Sequence, residues 1–279
     1  MMRSLLTASS GMLAQQTNID VISNNLANVN TTGFKKSRVD FQSLLYQSIR
    51  KPVASTEGFF NPTGIEVGHG VRIAGTLKDY STGMLQETGN DLDVCIEGSG
   101  FFMVELPDGS VGYTRAGNFR IDAEGFLVNS NGYRLLSSQG NVNTTNSMTV
   151  NGKTMKYIQP DTDTNTIHIS TTGIVATEKL DISSAAAPVI ELANFANPAA
   201  LEAIGSTIYI GNEVSGNVTI DNPTQGNMGA LQAGFLESSN VKIVEEMVKL
   251  IIAQRAYEIN SKSIQTSDEL LSMTNNLRR

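Results

Sequence analysis

The stretch "NNLANVNTTGFKK", residues 24–36, decides how this chain is to be read, because a helical rhythm runs into it and ends there. Asparagine competes for backbone hydrogen bonds and favours caps and turns, yet Asn24, Asn25 and Asn28 stand among Leu26, Ala27 and Val29. The stretch reads as the end of a helix rich in amides and poor in charge. Gly33 is its natural stop, since glycine takes a left-handed conformation without penalty.

Working outward, Leu5, Met12, Ile19 and Leu26 recur every seventh residue, with Ala8, Ile22 and Val29 three places after members of that series. Gln15 interrupts it. Such a narrow seam predicts a coiled-coil helix over residues 1–33. The far end mirrors it, with Val241, Val244, Val248, Ile252, Ala256, Ile259, Leu270, Met273 and Leu277 marking a long helix over 241–279. Ser238, Ser239 or Asn240 would cap it, Glu245 and Glu246 sit near its positive end, and Arg278 and Arg279 sit at its negative end. At about 1.5 Å per residue, each terminal helix would be on the order of 45 to 55 Å long.

Between the ends the period changes to two. "PDG", "AEG" and "NSNG" punctuate residues 91–136 into antiparallel hairpins. Residues 141–181 turn rich in Thr and Asn, with short strand candidates at Met148 to Val150, Thr154 to Ile158 and Thr166 to Ser170, expected to be loosely specified and surface-facing. Tyr46 to Gly70 and Gly211 to Gly234 are rich in Gly, Pro, Ser and Asn and read as extended or irregular connections. The expected class is α+β. Residues 1–33 and 241–279 pair as a coiled coil, 34–85 and 211–240 form a connecting layer that includes the segment 46–70, and 86–210 form an inserted β-rich outer domain.

A formal net charge of -7 and a pI near 4.9 repel phosphate backbones and anionic lipid, so neither nucleic acid nor a membrane is an expected partner. A single cysteine excludes an internal disulfide. Thr7, Ser9, Ser10 and Gly11 break any signal-like apolar run, so export is expected to use a route without a cleaved signal.

Chemical motifs are sparse. "DTDTNT", with Asp161, Asp163 and Asn165, opens like a calcium loop, but Thr166 stands where a glycine is needed and Thr172 where a bidentate glutamate is needed. "GHGVRIAG", around Gly68 and Gly70, lacks the strand-then-helix context of a phosphate loop. Cys95, His69 and His168 are the only candidates for a thiol nucleophile and its base. Cys95 lies in a strand-like run that explains a buried thiol, and two histidines give no zinc spacing. No catalytic, cofactor or metal residue is assigned. A cell-wall-acting enzyme would need a separated acid and base pair, and Asp91 and Asp93 merely flank one residue.

The uncharged polar surface of the terminal helices has no single-chain explanation, since Lys and Glu solvate a face better. Amides can meet identical neighbours without the cost of burying charge. Leu5, Met12, Ile19, Ile22, Leu26, Val29, Val244, Val248, Ile252, Ile259 and Leu270 are therefore the expected subunit-interface residues.

"NNLANVNTTGFKK" near the start, with "LIIAQRAYEINSKSIQTSDELL" (250–271) near the end, closely resembles the bacterial flagellar rod and hook protein family. "GFLVNSNGYRLL" and "GALQAGFLESSNV" extend the likeness, and the Thr-rich middle matches poorly. The motif positions are Asn24, Asn25, Asn28, Gly33, Phe34, Gln254, Arg255, Tyr257 and Asn260. "DFQSLLYQSIRKP" followed by "PTGIEVGHGVR" is similar to members that build the distal rod.

The resemblance implies a non-catalytic structural subunit of the basal body that polymerises into a hollow, torque-transmitting shaft. Hook-type or proximal-rod members of the family are the alternative. Implied partners are further copies in a helical tube, proximal rod proteins, the hook protein, the surrounding L- and P-ring bushing and the flagellar export apparatus. The implied location is the periplasmic rod. Pro52, Phe59, Phe60, Pro62 and Ile65 are expected to carry rod rigidity.

Overall fold

The structure is a computed structural model that describes residues 2–50, 53–54, 60–61, 64–144, 148–160, 167–177 and 187–276. Two helices dominate its ends, α1 (Met2–Ala27) and α2 (Ile243–Asn276). With 26 residues, α1 is about 39 Å long and shorter than expected, whereas α2, with 34, spans about 51 Å. The reason lies in the asparagines. Thr31 donates its backbone N–H to the Asn28 carbonyl at 3.2 Å and its hydroxyl to Asn28 Oδ1 at 3.2 Å, so a turn replaces the helix well before Gly33.

The chain forms two compact units. The first joins α1 and α2 to residues 37–78. Within it Ser37–Ser43 pairs antiparallel with Val71–Lys78, with an irregularity between Asp40 and Phe41. Beyond that ribbon Tyr46–Arg50 pairs with Ile65–Gly68, and Val53–Ala54 with Phe60–Asn61. Leu45, Tyr46 and Ile49 in this arm are exposed.

The second unit comprises residues 28–36 and 79–241. Its centre is a seven-stranded antiparallel sheet in the order Val142–Asn143, Lys156–Tyr157, Leu135–Ser137, Phe102–Glu105, Val111–Thr114, Ile208–Ile210, Glu202–Gly205. Alternation explains why the Phe102 strand is central. Successive side chains point to opposite faces. Phe101 and Met103 thus enter a cluster with Tyr113, Leu136, Phe195 and Tyr209, while Phe102 and Val104 enter another with Phe119, Leu127, Leu135 and Leu192. The expected turns form as read; at "PDG", Leu106 N–H donates to the Ser110 carbonyl at 2.9 Å.

Two expectations need correction. Among the described residues of the Thr-rich stretch, Met148, Met155, Tyr157, Ile158, Ile167 and Ile169 are buried, so it is not wholly surface-facing. Its low mean hydropathy hid apolar residues placed two apart, which period-two strands turn inward together. Gly211 to Gly234 is extended but paired: Val218–Asp221 joins Leu192–Phe195, and Ala230–Ala233 joins Val94–Glu97. Among the described residues, no helix is long and apolar enough to cross a membrane.

Candidate assembly interface

Of the heptad series read on α1, Ala8 and Ile22 are buried on the side of the contact between the two helices. That contact is small and polar. Ser4 Oγ lies 3.4 Å from Ser267 Oγ, a side chain placed at Gly11 would meet the Asn260 amide, and Asn25 Nδ2 donates to Glu246 Oε2 at 3.2 Å. On α1 the buried residues are Ala8, Ala14, Ile22 and Asn25; on α2 they are Glu246, Ala253 and Ser267.

The apolar residues of α2 look the other way. Val244, Val248, Ile252, Ile259 and Leu270 are 75%, 51%, 64%, 66% and 50% exposed. At about 100° per residue these positions lie on the side of α2 opposite Glu246 and Ala253. The α1 series is intermediate. Leu5, Met12, Ile19 and Leu26 lie half-buried on its flank, Ile22 is buried, and Leu6 and Leu13 are exposed on the far side. Val29 lies beyond the helix and is half-buried. An unpaired apolar surface running the length of a helix is the mark of an interaction face.

The family-motif asparagines divide by task. Asn25 is a clasp: its Oδ1 accepts the Ser37 N–H at 2.9 Å, and its Nδ2 donates to the Ser37 carbonyl at 2.8 Å as well as to Glu246. Lys249 Nζ, 2.6 Å from Glu246 Oε1, holds the carboxylate in turn. Asparagine suits this position because one amide offers both an acceptor and two donors without charge. Asn24 is exposed, and Asn28 belongs to the turn described above. Gln254, Arg255 and Tyr257 are exposed, with Arg255 3.4 Å from Glu258, and Asn260 lies half-buried against Gly11.

In the second unit the end of the same motif is built around buried charge. Lys35 Nζ lies 2.6 Å from Glu237 Oε1 and donates to the Ser81 carbonyl at 2.7 Å, and Gly83 N–H donates to the same carboxylate oxygen at 2.8 Å. Arg115 approaches Glu237 Oε2 at 3.5 Å and donates to the Gly98 carbonyl at 2.8 Å. Burial pulls the Lys35 pKa down, and the Glu237 carboxylate opposes that pull. Gly33 makes the approach possible, at φ +68, with the Ala116 backbone where a side chain would stand. Phe34 beside it is half-buried. Asn240, read as a helix cap, instead accepts the Lys36 N–H at 2.8 Å and donates to the Asp79 carbonyl at 2.8 Å.

Sequence reading missed Lys35, Arg115 and Glu237, and it gave Glu246 only a helix-dipole role. A charged side chain in sequence carries no sign of burial; the only available clue was the fixed spacing of Lys35 from Gly33.

Cys95 is wholly buried, and its thiol is pushed up to about 11 by burial and then by Glu237 and Glu97, the reverse of an activated nucleophile. His168 Nδ1 lies 3.3 Å from Asp91 Oδ2 at the surface, and His69 Nδ1 lies 3.0 Å from the Leu45 carbonyl. Among the described residues no group of three or more His, Cys, Asp or Glu is placed to hold a metal ion. Asp161, Asp163 and Asn165 lie outside the described residues, as do Pro52, Phe59 and Pro62. Phe60 falls in a strand and Ile65 is exposed.

Three family descriptions match the chain: "Flagella basal body rod protein" over residues 5–35, "Flagellar hook protein FlgE/F/G D1 domain" over 95–177, and "Flagellar basal body rod FlgEFG protein C-terminal" over 232–277. The flagellar basal-body rod protein FlgG of Borreliella burgdorferi is 48% identical over 282 residues, covering 100% of both chains. That of Caulobacter vibrioides is 41% identical over 281 residues, covering 99% of this chain and 100% of the relative. The flagellar hook protein FlgE of Treponema pallidum is 49% identical over 138 residues, but this covers 48% of the chain and 29% of the hook protein.

Proposed function

The chain belongs to the flagellar basal-body rod protein family, and from that premise we propose that it is the structural subunit of the distal rod, polymerising into the hollow shaft that carries torque to the hook. The observation that carries this reading is the outward apolar face of α2. A chain folded only for itself would turn Val244, Val248, Ile252, Ile259 and Leu270 inward, whereas a tube wall needs them for its neighbours. Full-length likeness to rod proteins, against partial likeness to a hook protein, favours the rod over the hook-type alternative.

In this reading α1 and α2 pair as a coiled coil in the tube wall. Leu5, Met12, Ile19, Ile22, Leu26 and Val29 join the α2 face in contacts between copies. The arm around residues 46–70, with Pro52, Phe59, Phe60, Pro62 and Ile65, stiffens the shaft by docking on an adjacent copy. The subunit performs no catalysis, reaches the periplasm through the flagellar export apparatus, and meets the proximal rod, the hook protein and the surrounding rings.

The test is assembly. Ile259→Asp and Val248→Asp place charge in what would be a dry contact, so both should stop polymerisation and motility while the isolated chain keeps its helicity. Cys95→Ala, His69→Gln and His168→Gln should leave both intact. Straight polymers from the Asp variants would refute the reading.

A further inference from the structure

The contacts between α1 and α2 follow one rule. Ser4 meets Ser267, Gly11 meets Asn260, and Asn25 meets Glu246; in every case the two residue numbers add to 271. The helices therefore run antiparallel in a single register over almost the whole of α1. In line with these contacts on α1, at spacings of four and three in turn, stand Ser4, Ala8, Gly11, Gln15, Asn18, Ile22 and Asn25, with Ala14 buried beside them. Those of α2 that answer them keep the same spacing from Glu246 through Leu250, Ala253, Tyr257, Asn260 and Ile264 to Ser267. Of these fourteen positions only Ile22, Leu250 and Ile264 carry large aliphatic side chains.

We infer that this small and polar seam keys the two chain ends to one register, with Gly11 against Asn260 setting the closest approach and Asn25 with Glu246 locking one end. A leucine-lined seam slips by one heptad at little cost, because every apolar side chain finds another. This seam does not. One heptad of slip in one direction places Asn25 opposite Ala253 and carries Glu246 past the end of α1; the other direction places Asn25 beyond the start of α2. Both Asn25 and Glu246 are almost wholly buried, so either slip strands a polar group. A side chain at Gly11 would come within 2.8 Å of Asn260 Nδ2, so a small addition displaces only the amide, whereas a branched one forces the helices apart. The register thus comes from polar matching, while Ile22, Leu250 and Ile264 are the large aliphatic side chains on the inward face.

Disulfide trapping in the full-length chain, with Cys95→Ala to remove the native thiol, tests this. Ser4→Cys with Ser267→Cys lies in register. Ala8→Cys with Ala256→Cys and Ser4→Cys with Thr274→Cys report the two slipped registers. Under mild oxidation the first pair should close within one chain at least about tenfold faster than either slipped pair, because a disulfide tolerates Cα separations only up to about 7 Å. Adding Gly11→Leu should abolish that preference, and Gly11→Ala should keep it. Equal closure of slipped pairs, bridges only between chains, no closure of the in-register pair, or a preference that survives Gly11→Leu would each overturn the inference. Polymerisation, measured separately on the reduced proteins, keeps the two questions apart. A chain that cross-links as expected but does not polymerise counts against the rod reading alone.

Discussion

Lys35 and Glu237 stand 2.6 Å apart with almost no solvent on either, although 202 residues of chain separate them. The pair closes the base of the β-rich unit, where its first and last segments meet. Arg115 makes the cluster two cations to one carboxylate, so its members are not equivalent. Glu237→Ala would leave both cations without a counter-charge and should destabilise this unit by roughly 3–5 kcal/mol in urea unfolding. Lys35→Met leaves Glu237 with Arg115 and the Gly83 N–H and should cost less. Equal losses would refute the asymmetry.

The Asn25 clasp makes a separate prediction. Asn25→Ala removes three hydrogen bonds and leaves Ser37 and Glu246 short of partners, a loss of about 1–3 kcal/mol. Asn25→Asp keeps the shape but sets a carboxylate beside Glu246 in a dry site, so it should be at least as harmful at neutral pH and recover toward acid. Hydrogen exchange at the end of α1 would read both effects.

Buried tyrosines set the alkaline limit. Burial pushes Tyr113 and Tyr209 up to about 12, and it raises Tyr80 further. A phenol whose folded pKa is raised contributes stability that is complete below its unfolded value, near 10, and is lost as pH rises through the folded value. Stability should therefore fall between about pH 10 and 12. Tyrosinate absorbance should show the phenols of Tyr80, Tyr113 and Tyr209 as a class that appears only with unfolding. A single class in the folded protein would contradict the burial.

Cys95 gives the simplest measurement. A disulfide-exchange reagent at pH 8 should find no reactive thiol in the native protein and one per chain in denaturant, because the thiol is buried and held well above its ordinary range.

The sequence exposed much of this architecture. Leu5, Met12, Ile19 and Leu26 announced a helix, and "PDG" and "AEG" announced hairpins, because spacing and turn chemistry are local properties. The faces were harder to read. Val244, Val248, Ile252 and Ile259 show the period of a seam, yet period alone does not say whether a helix turns those residues to its own chain or away from it. Ala8 and Ile22 of the inward face showed in the apolar pattern, but Ser4, Gly11, Asn18 and Asn25 carry no hydrophobic signal and escaped notice. Lys35 and Glu237 were invisible for a similar reason, since only three-dimensional closure makes partners of charges so distant in the chain.

Seams lined by serine, alanine and glycine have one more effect, which is on width. Interaxial distances of packed helices range over about 8–10 Å with the side chains between them, and a glycine at the contact, as at Gly11, favours the narrow end. In a closed ring of identical pairs, that width sets how many pairs fit around a given circumference. A single branched side chain at Gly11 would be repeated at every position of such a ring, so a change too small to unfold one chain could still prevent the circle from closing.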